Sequence, residues 1–435
     1  MPEQTFRESF LHYVWQYQYF NKVNLFTSVG ESVQILSPGF LNKDAGPDFY
    51  NSKLLINNLE WFGTVEVHYK TSDWIKHNHT ADKAYNSVIL HLVWEEDIKI
   101  EREDGTSLPT LELRNRIDKG IIDLYHHLVN NPKTIPCEGS ILHVDDIFIT
   151  SMLERTLIER LQLKSLEIID LLGRNTNNWE ETCYQWLGKC FGFKINSEAF
   201  LQLCRLLPYS ILKKYNNQPV FTEALLFGVS GFLKDGSDTD YHVRLKKEYS
   251  YLKTKHSVNK EVDTHYWKFL RLRPANFPTL RIAQFAAFIS ANQSITDIIL
   301  HYDLSQLRNC FSRSPELFWE DHYHFNKESD KFQESKLGSE SIDNLAINAI
   351  IPLRFAYGIK HDNQELMYSC VDLYKGIKPE KNQIVNAYLD LGLKIPSSFE
   401  SQAYIHLFNY YCNKRECLSC TIGHQIIHPL VENDH

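Results

Sequence analysis

The chain has 435 residues, of which 43% are hydrophobic and 23% charged, and its formal net charge is −8. This length exceeds one ordinary core and predicts about two or three domains of a globular protein. The negative charge argues against a protein that coats nucleic acid without specificity. No signal-peptide pattern opens the chain, because Glu3 and Glu8 interrupt it, and no apolar run approaches the roughly 20 residues that cross a bilayer. We therefore expect a cytoplasmic protein with no membrane partner.

The first third of the sequence predicts one helix followed by several strands. Apolar residues at helical spacing predict a helix over residues 5–20. Short apolar or alternating runs between turn residues predict strands at residues 31–36, 52–57, 61–69, 86–95 and 108–114. The second and third of these flank a short turn, so they should form a hairpin. Together these elements predict an α+β domain over residues 1–135.

From about residue 150 the hydrophobic pattern becomes helical. Residues 151–172 carry one apolar stripe over about six turns of helix. Asn178 then has the position of a helix N-cap, and Gly192 has the position of a helix end. We expect a mostly helical domain over residues 150–435, with a group of cysteines near its C-terminus.

Residues 46–91 are rich in acids and histidines within predicted strands. Because side chains alternate across a strand, Glu66, His68 and Lys70 share one face. The hairpin can bring Asp48, which precedes the partner strand, beside Glu66. Two close carboxylates raise each other's pKa unless a cation lies between them, and Mg²⁺ (or Mn²⁺) suits carboxylate oxygen and water. The pattern predicts a metal site at Asp48 and Glu66, with His68 or Lys70 acting on the attacking water.

Pro47-Asp48, followed 18 positions later by Glu66-Val67-His68, resembles the bipartite motif of the PD-(D/E)XK nuclease superfamily. The resemblance implies a restriction-endonuclease-like mixed sheet and hydrolysis of phosphodiester bonds. It also implies that Glu8 takes the place of a helical glutamate that assists in that superfamily. His68 stands where the superfamily has lysine, and Lys70 could substitute for it. This departure leaves open a non-catalytic adaptor for nucleic acid or protein that keeps the fold.

The chain as a whole resembles a family of bacterial proteins, the domain of unknown function numbered 2851. The segments that carry this resemblance are LHYVWQY, SPGFLNKDAGPDF, the stretch from VEVHYKTSDWIKHNH to AYNSVILHLVW, RLRPANFP and CLSCTIG. The resemblance spans nearly the whole chain and implies a shared fold. It supplies no activity, so the functional argument depends on the residues.

Three histidines and one acid allow a second interpretation of the same region. On extended chain His77 and His79 would face one side, and with Asp82 and His91 they could form a zinc site with nitrogen and oxygen ligands. Such a site predicts a zinc-dependent hydrolase of a small or peptide substrate. One of these histidines could instead act as a general acid beside the carboxylate metal site. The alternatives are a satisfied His91 in an apolar strand and an exposed polar loop at His77 and His79.

The chain has nine cysteines, an odd number that does not indicate a disulfide framework. Cys412, Cys417 and Cys420 form a compact group whose Cys-x2-Cys spacing suits zinc or an iron–sulfur cluster. The fourth ligand could be His424 or Cys137, and Cys137 would fasten the chain end to the first domain. We predict a structural metal here, and three reduced thiols without metal are the alternative.

Residues 237–281 form a basic stretch, with ten Lys or Arg against five Asp or Glu. Arg271, Arg273 and Arg281 flank a proline-bounded turn, and aromatic residues are interleaved. Arginine can bind phosphate and aromatic rings can stack on unpaired bases. The stretch predicts a nucleic-acid surface that delivers substrate to the first domain, and a solvated helical face is the alternative.

Overall fold

The computed structural model describes residues 6–234, 236–329 and 334–427, and the chain divides into two compact units. Unit 1 comprises Met1–Met152 and Leu407–His435, and unit 2 comprises Leu153–His406. A mixed sheet lies in the N-terminal part, and helices dominate the residues that follow it, so the predicted α+β class is confirmed. The division differs from the predicted second domain of residues 150–435 at its end. The cysteine-containing segment after residue 407 belongs to unit 1, because it packs on the core of that unit.

The helices and strands have the following bounds. The strands are β1 Val33–Ser37, β2 Phe40–Leu41, β3 Phe49–Ile56, β4 Leu59–Lys70, β5 Val88–Glu95, β6 Thr110–Glu112, β7 His322–His324 and β8 Lys327–Glu328. The helices are α1 Glu8–Tyr17, α2 Asp73–Lys76, α3 Lys119–Val129, α4 Asp146–Arg174, α5 Trp179–Phe191, α6 Ser197–Leu206, α7 Tyr209–Leu212, α8 Pro219–Val229, α9 Asp240–Lys255, α10 Pro278–Ala291, α11 Ile295–His301, α12 Leu304–Phe311, α13 Ser339–Leu345, α14 Ile351–Lys360, α15 Gln364–Lys375, α16 Gln383–Asp390, α17 Ser398–Leu407 and α18 Thr421–Ile427.

The predicted strands are all present, with shifts of a few residues at their ends. The predicted hairpin is β3 and β4, whose register pairs Ile56 with Leu59 and Phe49 with Val65. The helix predicted over residues 5–20 is observed as α1, and residue 5 lies outside the described residues. The strand pattern did not predict α3, which follows β6 and packs on α18.

The sheet of unit 1 has the strand order β1-β3-β4-β5-β6, with β2 paired to β3. The pairs β1–β3 and β3–β4 are antiparallel, whereas β4–β5 and β5–β6 are parallel. A parallel pair cannot be joined by a tight turn and needs a crossover connection. Residues 71–87, which contain α2 and two short 3₁₀ turns, form the crossover between β4 and β5.

The two faces of β4 have different surroundings. Val65 and Val67 point into the main core of unit 1, where they join residues of α1, β3, β5 and α3. Glu66 and His68 alternate with them, as the strand geometry requires, and are also buried. An apolar core therefore covers one face of β4, and a polar group fills the other.

Unit 2 contains most of α4 and the helices up to α17, and one large apolar core joins residues from the end of α4 to α14. Its local signals agree with the sequence. Asn178 caps α5 through its side chain, which accepts from the backbone N–H of Glu181, and Gly192 occupies the C-cap position of the same helix. Of the described residues outside unit 1, only β7 and β8 form a sheet.

A buried acid in unit 2 makes the stability of the fold depend on pH. Glu223, on α8, is only 2% exposed, and burial raises its pKa to about 7 from the ordinary 4.5. The folded state therefore holds this proton more tightly than the unfolded state does. The stabilisation is complete below about pH 4.5 and is lost as the pH rises to about 7.

We expect Glu223→Gln to remove this dependence, because the amide resembles the protonated acid. Near pH 4 the variant and the wild type should have similar free energies of unfolding, and at neutral pH the variant should be more stable by about 2–3 kcal/mol. Urea unfolding across this pH range measures the difference, with the exposed Glu365→Gln as the control. A difference that does not grow with pH would contradict the assignment.

Candidate functional site

The crossover between β4 and β5 assembles a polar group on one face of the sheet. The parallel register places Glu66 beside His91 on the neighbouring strand. The crossover carries His77 and His79 back over the same face, where their rings contact that of His68. The strands thus supply Glu66, His68 and His91, and the connection supplies the other two histidines.

Asp48 and Glu66 are linked through the backbone at the start of β3. The backbone N–H of Asp48 donates to Glu66 Oε2 at 3.2 Å, and Asp48 Oδ2 accepts from the N–H of Val67 at 3.0 Å. The two carboxyl groups therefore lie on the same side of the sheet. The Asp48 side chain is 24% exposed, so this edge of the group faces solvent.

Glu66 is the centre of the group. Its Oε1 lies 3.3 Å from His79 Nε2 and 3.5 Å from His68 Nε2. One ring nitrogen from each of His68, His77 and His79 also lies within 4.8 Å of the others. The three imidazoles therefore form one group, and two of them also lie beside the Glu66 carboxyl group. Nitrogen and oxygen donors of this kind can hold a divalent metal.

His91 lies behind His68 and fixes its ring. His68 Nδ1 is 2.8 Å from His91 Nε2, and His68 Nε2 is 3.1 Å from His77 Nδ1. If His68 carries its proton on Nδ1 and donates it to His91, its Nε2 presents a lone pair towards Glu66 and His77. Histidines that bind metal commonly have the second ring nitrogen held in this way. Fully buried His91 is thus a positioning residue.

Burial sets the charge state of the group. It lowers the pKa of both His68 and His91 to about 3, with help from neighbouring histidines, and it also lowers the pKa of His79. Burial and the nearby Asp48 carboxylate raise the pKa of Glu66 well above its usual range. His68, His79 and His91 are therefore neutral, and neutral imidazole is the form that binds metal.

Two atoms of the group have no hydrogen-bond partner among the described residues. They are His79 Nε2 and His91 Nδ1. Unsatisfied buried polar atoms are uncommon and call for an explanation such as an ion or ordered water. His79 Nε2, which points towards Glu66, fits a metal ligand.

The predicted helix glutamate and lysine have different surroundings. Glu8, on the first turn of α1, lies within electrostatic reach of Asp48, and burial raises its pKa. Lys70 is not brought into the group, because its ammonium pairs with Glu95 at 3.8 Å. Asp82 caps the second 3₁₀ turn of the crossover by accepting from the N–H of Ala84.

Three further residues belong to the site and were not predicted from the sequence. His12, one turn after Glu8 on α1, has Nε2 3.2 Å from Asp48 Oδ2. Tyr85 stacks on His79 with ring centroids 3.7 Å apart, and Trp74 contacts the rings of His79 and His91. Of these three, only His12 could have been predicted from the sequence, because its spacing from Glu8 places both on one face of the helix.

The structure brings the C-terminal cysteines to Cys137. Burial raises the pKa of Cys137 well above its usual value, and the proximity of Cys412, Cys417 and Cys420 raises it further, so these three cysteines lie within electrostatic reach of Cys137. Arg415 fastens the two segments, since it donates to the carbonyls of Asn131, Lys133 and Cys412 at 2.8–3.0 Å.

His424 has a different environment from the thiols. Its Nε2 lies 3.0 Å from the hydroxyl of Tyr19, and its ring contacts those of Tyr13 and Tyr17. Of the two residues considered as a fourth ligand beside the three C-terminal cysteines, Cys137 is therefore favoured over His424.

The three predicted arginines do not form one surface. Arg271 and Arg273 are exposed, as a nucleic-acid contact requires. Arg281 is only 5% exposed, because it lies on the inner side of α10. Its guanidinium cannot contact a polymer lying on the surface, and that part of the prediction is corrected.

The comparisons with known proteins give one match. A family model described as "Protein of unknown function (DUF2851)" matches residues 8–383. The chain belongs to this family. The matched range includes the whole group around Glu66 and ends before Cys412. Neither a curated protein nor a solved structure was found to be similar to the chain.

In the part of the chain that the structure describes, no helix combines the length and the apolar character that crossing a bilayer demands.

We expect His68 and His91 to stay neutral from about pH 5 to pH 8, because burial lowers both pKa values to about 3. Histidine NMR signals followed over this range measure the charge, and His68→Asn and His91→Asn assign the two signals. A midpoint between about pH 6 and 7 for either signal would contradict the buried geometry.

Proposed function

We propose that this chain is a divalent-metal-dependent hydrolase that cleaves phosphodiester bonds of nucleic acid. The observation that carries the proposal is the grouping of His68, His77 and His79, two of which, His68 and His79, also lie within 3.5 Å of the buried Glu66 carboxyl group. Imidazole nitrogen and carboxylate oxygen placed together in this way are donors that a divalent cation can bind. A bound metal would polarise a phosphoryl oxygen and lower the pKa of water.

The ligand types at the site change our expectation of which metal binds there. Mg²⁺ prefers oxygen ligands, whereas imidazole suits Zn²⁺ and related transition metals, and Mn²⁺ accepts carboxylates readily. Glu66 with three imidazoles favours Zn²⁺ or Mn²⁺ over Mg²⁺. Asp48, at the exposed edge, is the carboxylate that best suits Mg²⁺.

The residues at the open edge supply the groups that handle the attacking water. Asp48 and His12 form a carboxylate–imidazole pair there, with Glu8 in electrostatic reach. Such a pair can orient a water molecule and accept its proton. His12 takes the place that we first gave to Lys70. An acid at the start of β3, an acid on β4 and a helical glutamate also agree with the resemblance to the PD-(D/E)XK superfamily.

We expect Glu66→Gln to lower metal-dependent cleavage by at least about a hundredfold, because it removes the central ligand. The measurement adds Mn²⁺, Zn²⁺ or Mg²⁺ to chelator-treated protein and follows labelled single-stranded and double-stranded DNA and RNA. Glu60→Gln is the matched control, since Glu60 lies on the same strand and pairs with Lys53 away from the group. Equal cleavage by the wild type and Glu66→Gln would refute the enzyme.

A second candidate uses the same ligands on another substrate. Imidazole and carboxylate ligands also suit a zinc hydrolase of a small or peptide substrate. Cleavage of peptides or esters that depends on His77 and His79, without cleavage of nucleic acid, would support this candidate. The exposed position of His77 leaves it accessible to either substrate.

A third candidate is a nucleic-acid or protein adaptor without catalysis. The histidine in the lysine position and the exposed Arg271 and Arg273 favour it. This candidate predicts binding that weakens steeply with salt, and no turnover with any metal. In the cleavage experiment, binding without products would therefore select it.

We also propose that Cys137, Cys412, Cys417 and Cys420 hold a structural zinc ion or iron–sulfur cluster. Four cysteines are a complete ligand set for either group. Buried thiols that raise one another's pKa would be stabilised as thiolates by a metal. The bonds of Arg415 support the convergence of the two segments.

We expect Cys137→Ser to lose the zinc or iron that the wild type retains after purification under reducing, oxygen-free conditions. Elemental analysis measures the metal, and visible absorbance separates a cluster from zinc. Cys370→Ser is the control, because Cys370 is a buried thiol of unit 2 that bonds only main-chain carbonyls. Equal metal content in both variants would show that Cys137 is not a ligand.

A further inference from the structure

Unit 2 contains a cavity at the beginning of α10 that no predicted function uses. Its volume is about 290 Å³, comparable to small ligand sites. Apolar rings and polar groups share its wall, among them Phe191, Phe193, Phe200, Asn276, Arg281 and Asn344. The cavity combines an apolar body with a charged end.

The charged end is the guanidinium of Arg281, which bonds only to neutral groups. Nη1 donates to Gln284 Oε1 at 2.9 Å, and Nη2 donates to Asn276 Oδ1 at 2.5 Å and to Ser341 Oγ at 3.1 Å. Gln284 is itself fixed by donating to the carbonyl of Ser335 at 2.8 Å. These bonds hold the guanidinium in one orientation.

Arg281 has no carboxylate partner among the described residues. A guanidinium has five N–H donors, so the three bonds leave two, and Nε is one of the two. Burial alone lowers the pKa of Arg281 to about 10, with no acid opposing it. Taking an unpaired cation out of water costs several kcal/mol, as a rough figure. Such a charge calls for an anion.

The neighbouring cavity shows the contrast. Arg308 lines it and pairs with Asp343 at 3.0 Å, so its charge is already neutralised. Glu340 lines both cavities without pairing with Arg281. Lys194 lines the first cavity and adds a second cation, so its lining carries more positive than negative charge.

The wall over Arg281 is held in a strained conformation. Phe193 lies over the guanidinium at 4.4 Å from the ring centroid and has φ of +49°. A side chain in this left-handed region costs about 1–2 kcal/mol, and glycine is usual there after a helix. Gly192 precedes it where the chain approaches itself closely, since a Cβ would lie 2.3 Å from the carbonyl oxygen of Asn196. Strain of this kind is concentrated at functional sites.

We propose that this cavity binds a small organic anion, a phosphate or carboxylate attached to an apolar or aromatic body. The anionic group would accept from the N–H of Nη1 that the three bonds leave unused, because Nε is fully buried. The body would lie against Phe191, Phe193 and Phe200. Charge-assisted bonds to a fixed guanidinium are among the strong ones, and an apolar wall strengthens them by excluding water.

The test uses the full-length protein with chelator present, so that no metal at Glu66 contributes. Calorimetry measures binding of phenyl phosphate, benzoate and inorganic phosphate. We expect saturable binding of phenyl phosphate or benzoate, tighter than that of inorganic phosphate. The better of the first two identifies the anionic group as phosphate or carboxylate.

We expect Arg281→Met to weaken this binding by at least about tenfold, because it removes the charge. Arg308→Gln, in the neighbouring cavity, should bind as the wild type does. If Arg281→Met does not fold, Asn344→Asp serves as the test variant. It adds a negative charge to the cavity wall, so it should also weaken binding of the anion. Glu66→Gln should leave binding unchanged, so failure of the nuclease and failure of this site are separate results.

The proposal is overturned if the wild type shows no saturable binding of phenyl phosphate or benzoate. It is also overturned by equal affinity in the wild type and in the folded Arg281→Met variant, or in Asn344→Asp where that variant decides.

Discussion

The parallel pairing of β4 with β5 is the constraint on which the site of unit 1 depends. Two parallel neighbours cannot share a tight turn, so residues 71–87 must leave the sheet and return across it. That return brings His77 and His79 over Glu66 and His68. A tight turn between antiparallel strands would have no room for a segment that crosses the sheet, so it could not bring these histidines to the carboxylate.

Burial then decides what this polar group can do. Water would let Glu66 ionise and the histidines titrate near their ordinary pKa, but the closed face of the sheet reverses both tendencies. The result is a pair of neutral imidazoles, His68 and His79, beside a buried acid whose pKa is raised. Asp48 and His12 are partly exposed at the solvent edge of the group. The proposed hydrolase needs a coordination position that the protein leaves open to water, and the exposed side of the group, where His77 lies, is where that position would be.

The same logic of uncompensated polar groups applies in unit 2. Arg281 is held by three neutral partners beside a cavity, whereas Arg308 nearby is paired with an acid. A charged residue that forms an ion pair, such as Arg308, needs no ligand to compensate its charge. Arg281 has no such pair among the described residues, which is the reason we propose an anionic ligand beside it. The cysteines pose the same question in unit 1, where Cys137 lies within electrostatic reach of Cys412, Cys417 and Cys420. The Arg415 side chain joins the two segments by donating to main-chain carbonyls of both.

The sequence by itself determined the elements and much of the chemistry. Hydrophobic period and capping residues predicted the β3–β4 hairpin, the helical second part and the cap at Asn178, because these depend on local geometry. Strand alternation also predicted that Glu66 and His68 share a face. Only the tertiary structure decided which residues join them. It brought in His12, Tyr85 and the histidines of the crossover, and it left out Lys70, because contacts between distant segments depend on strand pairing and on packing. For the same reason it buried Arg281, which the local sequence presented as one of three equivalent arginines.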